Sequence, residues 1–170
     1  MPQSIAHSSQ GREITWLDPA ELAEAQTRAA YAYWLKLRGV RAFPSRDAMK
    51  MRDLAGLVSH MSLVRVLEDG ADFEHRIVGD AIVRAYDVRL QNRRFSEIAE
   101  DAPVLIRESL ILFRKVVETK KPIAWCQRVM LREVRINATV AEMILLPFGA
   151  DDTRVDHIAA FVAHLCPRRA

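Results

Sequence analysis

From Leu22 onward, apolar residues recur at helical spacing. Ala25, Ala29, Tyr33 and Leu37 fall on one stripe, and Trp34 widens it. The stripe is preceded by Asp18-Pro19-Ala20-Glu21: an aspartate able to cap, a proline suited to a first helical turn, and a glutamate at capping-box distance. Gly39 closes it. The pattern predicts one amphipathic helix over residues 19–38. A connector, VRAFPSRD, then leads to a second, short helix that starts at Ser45 or Asp47 and reaches Ser59 or His60. Leu54, Leu57 and Val58 supply its apolar side, and Gly56 weakens it.

Here the period changes to two. SLVRVL and DFEHRIVG read as strands joined by the turn EDGA, which makes a hairpin. In its second strand Phe73, His75 and Ile77 share one face, and Asp72, Glu74 and Arg76 the other. After Gly79 the apolar pieces, DAIVRAYD and FSEIAED, are too short to be stable alone, so packing must hold them. Pro103 opens a longer helix, with Asp101 as cap candidate and Ile106, Leu110, Phe113 and Val117 as its stripe. Lys120, Lys121 and Pro122 end it. Three strand candidates follow, IAWCQRVML, VRINATVAEMILLPF and VDHIAAFVAHL, the last two joined by GADD. This order predicts an α+β fold, an antiparallel sheet with helices on one face.

Composition narrows the class. Half of the 170 residues are hydrophobic, enough for the core of one domain with peripheral additions. The net charge of +3 comes from arginines scattered among 22 acidic residues. Even the densest group, Arg89, Arg93 and Arg94, reads as solvated surface, so no nucleic-acid partner is expected. Cys126 and Cys166 lack the spacing of a metal site or redox pair. No apolar run approaches the ~20 residues that span a bilayer, and the polar opening is no secretion signal, so a cytoplasmic protein without membrane contact is expected. Residues 1–17 are expected to be a flexible tail.

Four stretches, YWLKLRGVRAFPSR, EDGADFEHRIVGDAIV, FSEI and AEMILLPFGADDTRVDHI, resemble the PAS superfamily over nearly all of the chain from residue 31. Within it they are most similar to short stand-alone bacterial PAS-type proteins, in which an N-terminal helix precedes one sensor domain. The resemblance implies a five-stranded antiparallel sheet of order 2-1-5-4-3, with small helices crossing its concave face as a lid over a cavity. It also implies a sensory or regulatory role, with an N-terminal helix over residues 18–42 and a PAS-like domain over 43–170.

PAS domains differ mainly in what fills the cavity. Light-sensing flavin types use a cysteine in an Asn-Cys-Arg-Phe stretch. Here the stretch is Asn92-Arg93-Arg94-Phe95, and Arg93 has no thiol to offer, which disfavours a flavin photoadduct. Haem sensing of the better-known kind needs an axial histidine on the long helix, and residues 103–119 hold none, which disfavours haem. The cofactor is left open.

The candidate ligand contacts are Phe73, His75, Tyr86, Phe113, Trp125 and Glu142. His75 is either a polar anchor for a ligand or a core histidine with a satisfied hydrogen bond. Glu142 shares a face with Val140, Ile144 and Leu146. On the concave face it would fix a ligand's donor group; on the outer face it is a polar spot beneath the N-terminal helix. Phe113 and Trp125 are cavity walls or plain core. Tyr86 presents a hydroxyl inward or covers an edge. Arg76 belongs on the solvated strand face with Glu74 or Asp72.

Neither histidine nor cysteine spacing supports a metal site, and no nucleophile elbow, phosphate loop or paired-acid motif occurs, so no enzyme is expected. A signal would leave by protein contact, with Leu22, Ala29, Tyr33, Trp34 and Leu37 of the first helix as the candidate surface; its apolar stripe packs on its own sheet, on a second copy in a homodimer or on another protein. Two alternatives stand beside this reading. One is an adaptor whose cavity is filled. The other is a cone-shaped α+β barrel enzyme with His75 and Glu142 as its acid–base pair.

Overall fold

The computed structural model describes residues 14–129 and 139–165. Cys166 and the N-terminal part of the expected strand before Thr139 lie outside them. Alternating and continuous apolar runs give six strands: β1 (Ile14–Leu17), β2 (Met61–Leu67), β3 (Asp72–Val78), β4 (Ile123–Val129), β5 (Thr139–Phe148) and β6 (His157–Leu165). They form one sheet in the order β1-β4-β5-β6-β2-β3, with every neighbouring pair antiparallel. Set β1 aside, count the remaining strands from one, and the order read from β3 is the expected 2-1-5-4-3.

The added strand corrects the expectation of a tail through residue 17. Ile14 to Leu17 pair with Gln127 to Ala124 along what would otherwise be the bare edge of β4. Alternation brings Trp16 opposite Trp125, and the two rings meet edge to face at 6.4 Å.

The single helix expected over residues 19–38 is broken. Asp18 does cap, accepting from the Ala20 N–H, but it caps only a 3-10 turn, Pro19–Glu21. Leu22 then turns into extended backbone and buries its side chain, and α1 (Ala25–Arg38) starts afresh. The short helix expected from residue 45 resolves into three 3-10 turns, Arg46–Ala48, Met51–Leu54 and Val58–His60, the first capped by Ser45.

Beyond β3 the pieces are α2 (Asp80–Ala85), α3 (Phe95–Ile98) and α4 (Pro103–Thr119). Gly79 marks the break because a Cβ there would sit 2.3 Å from the carbonyl oxygens of Val58 and Ser59. Only glycine lets β3 leave the sheet past that turn. Asp101 is not the cap of α4: Ala102 holds that place without a side-chain bond, and Asp101 pairs with Arg93 at 2.8 Å.

Helices cover both faces. One face receives α1, which lies on β5 and β6. The other receives α3 and α4, with α3 against β3 and α4 against β5. Residues 141–149 are all buried, as a central strand sandwiched between two layers requires.

Candidate functional site

Strand register decides which residues share a face. Val64 pairs with His75 and Ile158, and Val66 with Phe73. Ile158 pairs with Pro147, so Pro147, Leu145 and Met143 belong to that same face, as does Trp125 opposite Met143. Glu142, one residue out of step, lies on the reverse face with Cys126 and Ala163 as its partners. A bulge between Leu63 and Val64 leaves Arg76 unmatched and pairs Ile77 with Leu63. Ile77 therefore does not share the His75 face as the simple alternation predicted. Arg76 lies 3.4 Å from Glu74 on the exposed side.

On the lid face, Phe73, Phe95 and Phe113 meet pairwise at 5.2 to 5.5 Å, and His75 packs on Phe95 at 5.0 Å. These four rings come from β3, α3 and α4, so one cluster joins strand and lid. Backbone bonds tighten the join. The His75 N–H donates to the Arg93 carbonyl at 3.0 Å, and the Asn92 N–H donates to the His75 carbonyl at 2.9 Å. The Asp72 carboxylate accepts from the Ser96 N–H and hydroxyl, and Arg114 donates to the carbonyls of Gly70 and Ala71. Arg93, at the place of a photochemical cysteine, instead donates to the Glu97 carbonyl.

Four polar side chains are buried among the described residues: Thr27, Ser62, His75 and Glu142. They form two pairs, one on each face. On the lid face, Ser62 Oγ and His75 Nδ1 are 2.8 Å apart. Burial pushes the His75 pKa down from 6.5 to about 4, so the imidazole is neutral near pH 7.

On the reverse face, Glu142 is only 3% exposed and accepts three bonds from the start of α1. The Ala23 N–H donates at 2.9 Å, the Glu24 N–H at 3.0 Å, and the Thr27 hydroxyl donates as well. These satisfy the N–H of Glu24, the residue that caps α1, and the N–H of Ala23 just before it. Cys126 lies across the strand pair from Glu142, and its thiol pKa is raised by burial first, then by the charges of Glu142 and Glu24.

The sequence candidates thus separate. Phe73, His75 and Phe113 come together. Trp125 is on the same face but with three strands between, packed against Trp16 with its indole N–H on Gln127. Tyr86 is half-buried at the end of α2 and packs on the core. Glu142 is beneath α1, which removes it as a lid-side ligand contact and as an acid–base partner of His75.

Among the partner candidates, Leu22 and Trp34 are buried in the chain's own core, with the Trp34 indole N–H on the Pro147 carbonyl at 2.8 Å. Tyr33 and Leu37 are half-buried against the same core, and Ala29 is exposed. Four of the five residues, all but Ala29, thus pack on the chain's own core. Sequence reasoning missed Ser62 and Thr27, which carry no motif, and the ring contribution of Phe95, whose apolar place in FSEI was its only signal.

Among the described residues no cluster of three or more His, Cys, Asp or Glu side chains is placed to hold a metal ion, and no helix is long and apolar enough to cross a membrane. A family model for the PAS domain matches residues 22–162.

The chain belongs to the PAS domain family.

The matched span takes in α1, β2 to β5 and the first six residues of β6, and does not reach β1. PAS membership marks this as a sensory or regulatory interaction domain. No curated protein and no solved structure matches the chain.

Proposed function

We propose that this PAS domain is a non-catalytic regulatory module that passes its signal by protein contact, with α1 as the element that moves. The observation that carries the reading is the bond set from Glu142 to Ala23, Glu24 and Thr27. It fixes the start of α1 to the sheet, while Ala30 and Trp34 bury the rest of the helix, so the polar set is the part of the docking that can be made or broken, giving a docked and a released state. A regulator needs two such states that a ligand or partner binds unequally. β5 is the physical link, because α1 packs on one side of it and α4 on the other.

The ring cluster of Phe73, Phe95, Phe113 and His75 supports the adaptor form of this reading, in which a protein partner rather than a small ligand biases the lid. The separation of His75 and Glu142 by the sheet speaks against the barrel-enzyme alternative. On the output side, the outward face of α1, with Ala29 and Leu35 exposed, and Val40 just beyond it are the surface offered to a second copy.

Hydrogen exchange on a Phe113→Leu variant tests the coupling. Exchange should quicken over residues 23–38 as well as in α3, with Glu142→Gln as the control that releases α1 directly. Faster exchange confined to the lid, with residues 23–38 as protected as in the wild type, would sink the reading.

A further inference from the structure

A second feature lies away from both buried pairs. Where α1 ends beside the link from α4 to β4, a groove of about 540 Å³ is lined by Pro19, Tyr31, Trp34, Arg38, Ala42 and residues 119–122. That volume falls within the range of about 300–1,000 Å³ usual for small-molecule sites. One wall is an aromatic ladder on successive turns of α1. Tyr31 stacks on Trp34 at 6.1 Å with the planes 16° apart, and the Arg38 guanidinium lies 5.4 Å from the Trp34 ring centroid.

The opposite wall is cationic. Lys120 holds a left-handed backbone (φ 58°) that ends α4, and Lys121 follows it. Arg38, Lys120 and Lys121 all line the groove, no carboxylate does, and among the described residues none of the three has an ion-pair partner. Both α1 and α4 end here, so each contributes roughly half a negative charge from its terminal carbonyls, which three full cations outweigh. The Nε atom of Arg38 is buried without an acceptor. A buried charged donor left unpaired is costly, and a turn of the half-buried Arg38 side chain toward an anion in the groove removes that cost.

We propose that this groove binds a small aromatic anion, a flat ring system carrying a carboxylate or phosphate. The ring lies against the half-buried Tyr31, which is backed by the buried Trp34, and the anionic head meets Arg38, Lys120 and Lys121. Such a ligand ties α1 to the α4–β4 link and so favours the docked state of α1. The site itself does not rest on the lid reading, since it uses different residues and a different face.

The test is a ¹H–¹⁵N NMR titration of the whole protein with 2-naphthoate, following the Arg38 Nε–H and Trp34 Nε1–H signals. The expected result is a saturable shift of both, with 2-naphthamide, the neutral analogue, at least about tenfold weaker. Inorganic phosphate, an anion without a ring, should also be about tenfold weaker or more. Comparing 2-naphthoate with 2-naphthyl phosphate decides which head group the cations prefer.

Lys121→Gln is exposed and safe for folding, and should weaken 2-naphthoate about threefold; Arg38→Gln should weaken it about tenfold. Equal binding of acid and amide overturns the proposal, as does unchanged affinity in both variants. Shifts gathered at the lid with Arg38 unmoved, or no saturation at all, overturn it too, without touching the lid reading.

Discussion

Glu142 caps a helix that begins more than a hundred residues before it, and the chemistry explains why a charged side chain is tolerated there. A buried carboxylate is costly unless its oxygens are satisfied, and here two backbone N–H groups and a hydroxyl satisfy them. In Glu142→Gln the amide keeps one acceptor oxygen but turns its NH₂ toward donors. The expected loss is about 1.5–3 kcal/mol, the scale of hydrogen bonds to a charged group, read as a lower urea midpoint with faster exchange at residues 23–27.

His75 gives a pH prediction whose sign is fixed by its lowered pKa. Below pH 6.5 the unfolded chain takes up a proton at His75, while the folded chain does not until about pH 4. The unfolded state therefore binds more protons in that window, and stability falls as the pH drops through it. The loss from this group totals roughly 3 kcal/mol and is absent above pH 6.5. In His75→Gln the fall between pH 6.5 and 4 should be smaller than in the wild type by about that amount, as measured by urea unfolding at stepped pH. Parallel curves for the two proteins would show that His75 is not buried in the neutral form.

Among the elements, α1 is held by burial more than by its own propensity. Trp34 is 1% exposed and donates to the Pro147 carbonyl, so Trp34→Phe leaves that carbonyl unpaired and opens a small void. A cost of about 1–3 kcal/mol is expected in thermal or urea unfolding. Gly79 is constrained by close approach: Gly79→Ala drives a methyl onto two carbonyl oxygens, and the strain should cost about 1–3 kcal/mol or more and displace the turn at Val58–His60.

The elements also show where sequence reading works and stops. The strand β3 and the helix α4 follow from period alone, because each has a wetter and a drier side, and β2 follows from its continuous apolar run and the turn that joins it to β3. The break between Glu21 and Ala25 does not, because the local cap Asp18 is a genuine cap and the competing one, Glu142, comes from a distant strand. The facing of Glu142 was equally hidden. β5 is apolar on both faces, so alternation has no polar side to orient it. The bulge at Arg76 left no mark in the pattern, and it is what moves Ile77 off the His75 face.

For the molecule as a whole, α1 is part of the domain rather than an appendage. A chain starting at residue 43 loses α1 and bares Ile144, Leu146 and Phe161, all now buried. It should aggregate or unfold without a cooperative transition, as light scattering and circular dichroism would report; a stable, soluble product would show that α1 contributes little. The proposed homodimer makes a separate prediction. Leu35→Glu with Val40→Glu, both exposed, should halve the mass seen by gel filtration with light scattering, and an unchanged mass removes that surface from consideration.

From residue 61 onward the sequence by itself determined the kinds and order of the main elements and, through the PAS resemblance, the order of five strands in the sheet; it did not reveal β1, the break before α1 or the 3-10 turns. Period and punctuation are local properties, and they survive in one dimension. Only the tertiary structure decided which face each strand residue takes, that Glu142 and His75 sit on opposite sides, and that Tyr31, Trp34, Arg38, Lys120 and Lys121 share a groove. Those outcomes depend on register and on contacts between residues far apart in the chain. A one-residue shift in pairing reverses every facing while leaving the hydrophobic pattern untouched.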